Sequence, residues 1–180
     1  MTEELVNRYK ELLRKFNVPL EKSLVSGDGR IELMGRRWIL MDVSAFPEHM
    51  IKTTAGFMGE KLAREFIYWF GYGYGEVIAE RHLKLGMPRG LIPQFVAALS
   101  SCLTGWGVVE ILEANFEEGR LTVKITNDFE VESALKGGSE PSNNFMRGVL
   151  AGGFAKLIGA KTHATAEVKD GVTIIRVTRR

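Results

Sequence analysis

The stretch from Asn143 to Gly171 constrains this chain more than any other part of it. It reads as a glycine-dotted amphipathic helix, a turn at Gly159, and a strand that ends in a polar turn. Gly148 and Gly152 stand four residues apart and share one helix face. Ala151 and Ala155 widen that face into a smooth strip. Each glycine costs about 1 kcal/mol against alanine inside a helix. Two arrangements offset such a cost: close packing of another backbone, or room for a ligand. The second is the expectation here, with Gly148 and Gly152 giving a ligand access to the helix backbone and Phe145 and Val149 supplying apolar walls.

The remaining sequence reads as an antiparallel sheet with helices over it. Leu5, Tyr9, Leu12, Leu13 and Phe16 have helical spacing over Thr2–Phe16, and Asn17-Val18-Pro19 stops that helix. Ile31–Met34 and Trp38–Asp42 read as strands around Gly35-Arg36. A largely helical segment follows from Ser44 to Phe70, a second helix from Tyr74 to Leu85, and another over Pro88–Leu103, broken near Pro93. Val108–Ala114 and Arg120–Thr126 form a hairpin joined through Glu117-Glu118-Gly119. The loop from Lys136 to Asn144, rich in Gly, Ser, Pro and Asn, reads as flexible. Strands over Thr162–Val168 and Val172–Arg176 close the chain. Without a regular strand–helix alternation, the order predicts α+β: one domain over 1–180, with 1–28 an amino-terminal helix and linker.

Charge and cysteine usage exclude several classes. Lys plus Arg total 24 against 22 Asp plus Glu, and the basic residues are scattered, so no phosphate-tracking surface is expected and no direct nucleic-acid binding. Cys102 is the only cysteine, which excludes an internal disulfide and fits a cytoplasmic location. No amino-terminal signal pattern and no apolar run of about 20 residues is present, so a membrane span is not expected. Gly71-Tyr72-Gly73-Tyr74-Gly75 lacks the spacing of a dinucleotide loop and the Gly-Lys-Ser/Thr of a P-loop. It reads instead as a helix-to-helix junction where glycines allow close packing, with Tyr72 and Tyr74 as candidates to face a ligand.

The Asn143–Gly171 stretch resembles the 4-vinyl reductase, or hydrocarbon-binding, domain, whose helix carries glycines four apart before a strand bearing a glutamate. Gly29–Met41 and Gly71–Gly75 resemble the amino-terminal sensor domains of phenol- and xylene-responsive transcription activators. The wider superfamily, which includes TRAPP transport-complex subunits, implies an antiparallel sheet covered by helices and a homodimer. The aromatic sensors of this group bind zinc through cysteines and a glutamate. Glu167 matches the glutamate, but Asn144 and Asp170 fall where cysteines would be, and the last cysteine has no counterpart. These oxygen donors are a poor set for structural zinc, so no metal is expected. The histidine and tryptophan that hold phenol in those sensors are also missing: the corresponding regions read Leu99-Ser100-Ser101-Cys102 and Lys124-Ile125-Thr126.

His49, His82 and His163 lack a serine or cysteine in a triad pattern, and Cys102 lies in an apolar stretch where an inert core thiol is expected. Phe66, Tyr68, Trp69, Phe70, Tyr72 and Tyr74 cluster closely, and Trp106 stands between two glycines. The leading expectation is a small protein that senses or carries an apolar, hydrocarbon-like molecule without an effector module of its own and without a cofactor. Its ligand-binding residues are expected to be Tyr72, Tyr74, Trp106, Phe145, Gly148, Val149 and Gly152. A structural subunit of a protein complex is the first alternative. A reductase acting on a vinyl group is the second, although no nucleotide fingerprint for its hydride source is present. The apolar surplus in Phe57–Phe70 fits a homodimer.

Overall fold

The computed structural model describes residues 7, 10, 11, 14, 24–27, 30–33 and 36–180. The helix expected over Thr2–Phe16 lies mostly outside the described residues; Asn7, Lys10, Glu11 and Arg14 within it are helical. Strands β1 (Leu24–Gly27), β2 (Arg30–Leu33) and β3 (Arg36–Trp38) form a small antiparallel meander. The expected strand over Trp38–Asp42 is therefore strand only at Trp38; Ile39 to Asp42 have no regular structure.

Two helices follow, α1 (Glu48–Met58) and α2 (Glu60–Lys84). The expected break after Phe70 does not occur. The chain turns at Gly59, whose φ is 82°, and α2 then runs without interruption through Gly71, Gly73 and Gly75. The reason is tertiary: packing of Gly71 and Gly75 against a neighbouring helix offsets their low propensity. A short 3-10 turn (Arg89–Leu91) leads into α3 (Ile92–Leu99), where Pro93 occupies the first turn rather than breaking the helix. Wider helical turns over Ser100–Thr104 extend it to Gly105, in the left-handed conformation.

The hairpin β4 (Val108–Asn115) and β5 (Arg120–Thr126) forms as expected. Between β5 and the last helix lies α4 (Phe129–Lys136), which no sequence expectation covered. The last helix, α5 (Asn144–Ile158), precedes β6 (Thr162–Lys169) and β7 (Val172–Arg179). The main sheet has the order β4-β5-β7-β6, antiparallel throughout. Leu121, Val123 and Ile125 alternate inward on β5, and Thr173, Ile175 and Val177 on β7, the two-residue period of a sheet with one covered face. The architecture is α+β. Among the described residues no helix is long and apolar enough to cross a membrane.

Helix α5 is central, its buried side chains running from Asn144 to Leu157. It crosses α2 through reciprocal glycines. A Cβ at Gly71 or Gly75 would lie 2.3 or 2.0 Å from the carbonyl oxygen of Phe145 or Val149 on α5. A Cβ at Gly148 or Gly152 would lie 2.0 or 1.9 Å from that of Tyr68 or Tyr72 on α2. Glycine alone permits this approach, and the carbonyls then face Cα–H groups, contacts each worth about 0.5–1 kcal/mol.

Candidate apolar ligand site

The crossing fixes one wall of a cavity. A volume of about 60 Å³ lies between α2, α3, α5 and the β4–β5 hairpin. Met146, Val149, Leu150, Gly153, Phe154 and Leu157 line it from α5, and Val109, Ile111 and Leu121 from the hairpin. Ile92, Pro93, Val96 and Ala97 close it from α3, Gly75, Ile78 and Ala79 from α2, and Trp106 from the loop before β4. Ser100 is the sole hydroxyl-bearing residue in this wall. A carbonyl or hydroxyl guest would therefore surrender its hydrogen bonds with little in return, at a cost of about 1–3 kcal/mol each. An engineered core cavity of about 150 Å³ holds benzene. A six-membered ring would thus enter this smaller space only if flexible side chains such as Met146 turned aside.

The expected site residues divide into four groups. Trp106 and Val149 line the cavity. Phe145 and Tyr74 stand behind Trp106: the Phe145 ring is 5.7 Å from Trp106 and 5.9 Å from Tyr74, and Tyr74 is 5.7 Å from Trp106. Phe46, Phe70 and Phe129 complete this aromatic nest around Phe145. Tyr72 lies elsewhere, beside Tyr68 and Trp69. The expected glycine strip is corrected. Gly148 and Gly152 do not line the cavity, because the α2 backbone fills the space over both. The adjacent Gly153 is the α5 glycine that faces the cavity.

The sequence reading also missed the device that holds the first turn of α5. Asp128 caps α4, its Oδ1 accepting from the Glu130 amide at 2.9 Å. Glu130 then reaches across to α5, its two carboxyl oxygens accepting from the amides of Phe145 (3.0 Å) and Met146 (2.6 Å). Asn143 donates to Asp128 Oδ2, which ties the two helix starts together. Burial, reinforced by the Asp128 charge, pushes the Glu130 carboxyl up to about 8 against the pull of those amides. Burial raises Asp128 as well. The legible signal was Asn127-Asp128-Phe129-Glu130, an N-cap with an acid in the following turn.

The remaining chemistry-bearing residues are dispersed. Asn144 is buried at the start of α5, donating to Ser142 Oγ and accepting from Arg147 at 2.5 Å. Glu167 is an exposed strand residue 3.3 Å from Arg176, and Asp170 occupies the β6–β7 turn at φ 51°. Among the described residues no group of three or more His, Cys, Asp and Glu could hold a metal ion. His82 is buried with Nδ1–H donating to the Ile78 carbonyl at 2.7 Å, and burial lowers its pKa, so it stays neutral. Burial raises the half-buried Cys102 thiol, which keeps it from the thiolate form.

No family model matches this sequence, and no curated protein matches it. Solved structures do. The phenol-responsive sensory domain of the transcription activator PoxR, determined with phenol, superposes with a TM-score of 0.75 at 18% identity. The match covers 99% of this chain and 92% of that one. A trafficking protein particle complex subunit 3 from Naegleria fowleri, covalently bound to palmitic acid, gives a TM-score of 0.44 at 12% identity over 74% of this chain and 94% of that one. The chain has the fold of the PoxR sensory domain.

Proposed function

We propose that this protein is a small-molecule-binding domain, a sensor or carrier, whose ligand is an apolar, hydrocarbon-like molecule held in the cavity between α5, α3 and the β4–β5 hairpin. The observation that carries the reading is the cavity itself: a space of about 60 Å³ walled by aliphatic side chains and Trp106 in the middle of the fold. Support comes from the fold shared with a phenol-responsive sensory domain. The glycine-bearing helix and following strand support membership of the 4-vinyl reductase domain family. The nearly hydroxyl-free wall favours hydrocarbon over phenol, and the reading includes a cytoplasmic, single-domain protein.

Native mass spectrometry of freshly purified protein tests this directly, followed by calorimetric titration with toluene and with phenol. Toluene binding tighter than phenol, abolished by Val149→Phe without a fall in melting temperature, is the expected result. Phenol binding as tightly as toluene, or binding unchanged in Val149→Phe, would refute it.

A second reading rests on a separate observation. Phe57, Leu62, Phe66, Phe70 and Val77 are exposed along α2 and its junction with α1, Phe57 at 88%. Such a stripe exceeds the scattered apolar exposure of a monomer surface. We infer that it is the contact face of a homodimer, the commonest closed assembly. Light scattering that gives a monomer mass at all concentrations would remove this claim.

A further inference from the structure

A second cluster, none of whose residues lines the cavity, is built from α2, α5, β6 and the chain's last residue. Tyr68 is buried, its ring 5.5 Å from Trp69, 6.4 Å from Tyr72 and 6.0 Å from His163. The Arg147 guanidinium lies 5.6 Å over the Tyr68 ring. Arg180 Nη2 donates to His163 Nδ1 at 3.2 Å. A guanidinium only donates, so Nδ1 is the unprotonated nitrogen of His163 and Nε2 carries the hydrogen. Burial and the positive charges of Arg180 and Arg147 lower the His163 pKa, which keeps the ring neutral.

The charged side chains of the cluster, Arg147 and Arg180, can only donate, and so can Nε2 of His163. Neither arginine has an Asp or Glu carboxylate within ion-pair distance among the described residues. Arg147 Nε is buried without a hydrogen-bond partner, while Arg147 Nη2 donates to the neutral Asn144 amide oxygen. The acids that act on Arg147 are Tyr68, whose phenol burial keeps protonated, and then Glu130, whose carboxyl burial pushes up to about 8. Two cations without an Asp or Glu ion-pair partner therefore act on the same His163, beside two accessible rings: Trp69 is 57% exposed and Tyr72 is half-buried.

We propose that this cluster is a binding site for a small aromatic carboxylate, its carboxylate paired with Arg147 and Arg180 and its ring stacked on Trp69 and Tyr72. Guanidinium forks match the two oxygens of a carboxylate, and Trp and Tyr faces stack on a flat ring. The site is chemically the reverse of the apolar cavity, so one domain would bind a hydrocarbon and an aromatic acid at separate places. The inference does not rest on the cavity or on the dimer.

Calorimetric titration with sodium benzoate tests it, with sodium acetate and inorganic phosphate as ring-free anions. Benzoate is expected to bind at one site per chain and about tenfold or more tighter than either, the worth of the added stacking. Arg180→Gln is expected to weaken benzoate by about tenfold, the loss of a charge-assisted contact. Trp69→Leu should weaken benzoate while leaving acetate unchanged. Both positions are exposed, so both variants fold even if Arg147→Gln does not. Equal affinity for benzoate and phosphate would overturn the proposal. So would benzoate binding that survives Arg180→Gln and Trp69→Leu but is lost in the cavity-filling Val149→Phe variant.

Discussion

Gly152→Ala and Gly153→Ala add the same methyl group to adjacent residues of one helix, and the structure gives them opposite effects. At Gly152 the new carbon would stand 1.9 Å from the Tyr72 carbonyl oxygen, with the Tyr72 carbonyl carbon at 2.6 Å and Cα at 2.9 Å. Ordinary non-bonded separations are about 3.5–4.0 Å. The atoms in the way are backbone of a 25-residue helix, which has no rotamer to change. Relief requires α2 and α5 to part by about 1.5 Å, and the same movement loosens the Gly148, Gly71 and Gly75 contacts. Overpacking of this kind costs about 1–3 kcal/mol. Alanine's better helix propensity returns about 1 kcal/mol. The net loss of up to about 2 kcal/mol corresponds to a fall of up to about 8 °C in melting temperature for a domain of this size. At Gly153 the nearest atom, Gly75 O, is 3.5 Å away, an ordinary contact. Only the propensity gain remains, worth about 2–4 °C upward. Thermal melts followed by circular dichroism measure both. Gly152→Ala melting at or above the wild type, or Gly153→Ala melting below Gly152→Ala, would refute the backbone-packing account of the crossing.

Glu130 holds its proton in the folded state up to about pH 8, whereas the unfolded chain releases it near 4.5. The stability tied to this proton is fully present below pH 4.5, declines as pH rises through that interval and is lost beyond about 8. Melts of wild type and Glu130→Gln between pH 5 and 9 should therefore show a flatter pH dependence in the variant, and parallel curves would contradict the assignment. Leu62→Glu on the exposed α2 stripe is expected to shift sedimentation toward the monomer with little change in melting temperature, because Leu62 is 55% exposed within the chain. Gly73→Ala, with nothing within 4 Å of the added carbon, is expected to raise the melting temperature by up to about 4 °C in the same assay. Elemental analysis of purified protein is expected to give well under one zinc per chain, since Asn144, Glu167 and Asp170 provide no thiolate or imidazole.

The sequence by itself determined the elements whose signals are local. The hairpin at Glu117-Glu118-Gly119, the helix ending at Gly159 and the two closing strands follow from two-residue and four-residue periodicities bounded by turn residues. The α+β class follows from their order. The glycines four apart on α5 were legible as a surface needing a partner, and Trp106 and Val149 as apolar candidates. What covers each surface was decided only by tertiary structure. Gly71 to Gly75 read locally as a junction, yet α2 runs straight through because each of its packing glycines meets a carbonyl of α5. That complementarity joins residues more than seventy positions apart and leaves no local trace. The same crossing gives Gly148 and Gly152 to protein and turns Gly153 toward the cavity. Glu130 capping a helix that begins fourteen residues later, and Arg147 and His163 both meeting the Tyr68 ring, are likewise products of the folded chain. Propensity and periodicity act within a few residues. The free energy of an uncompensated charge, a shared cap or a close backbone approach depends on which distant segments the fold brings within a few ångströms.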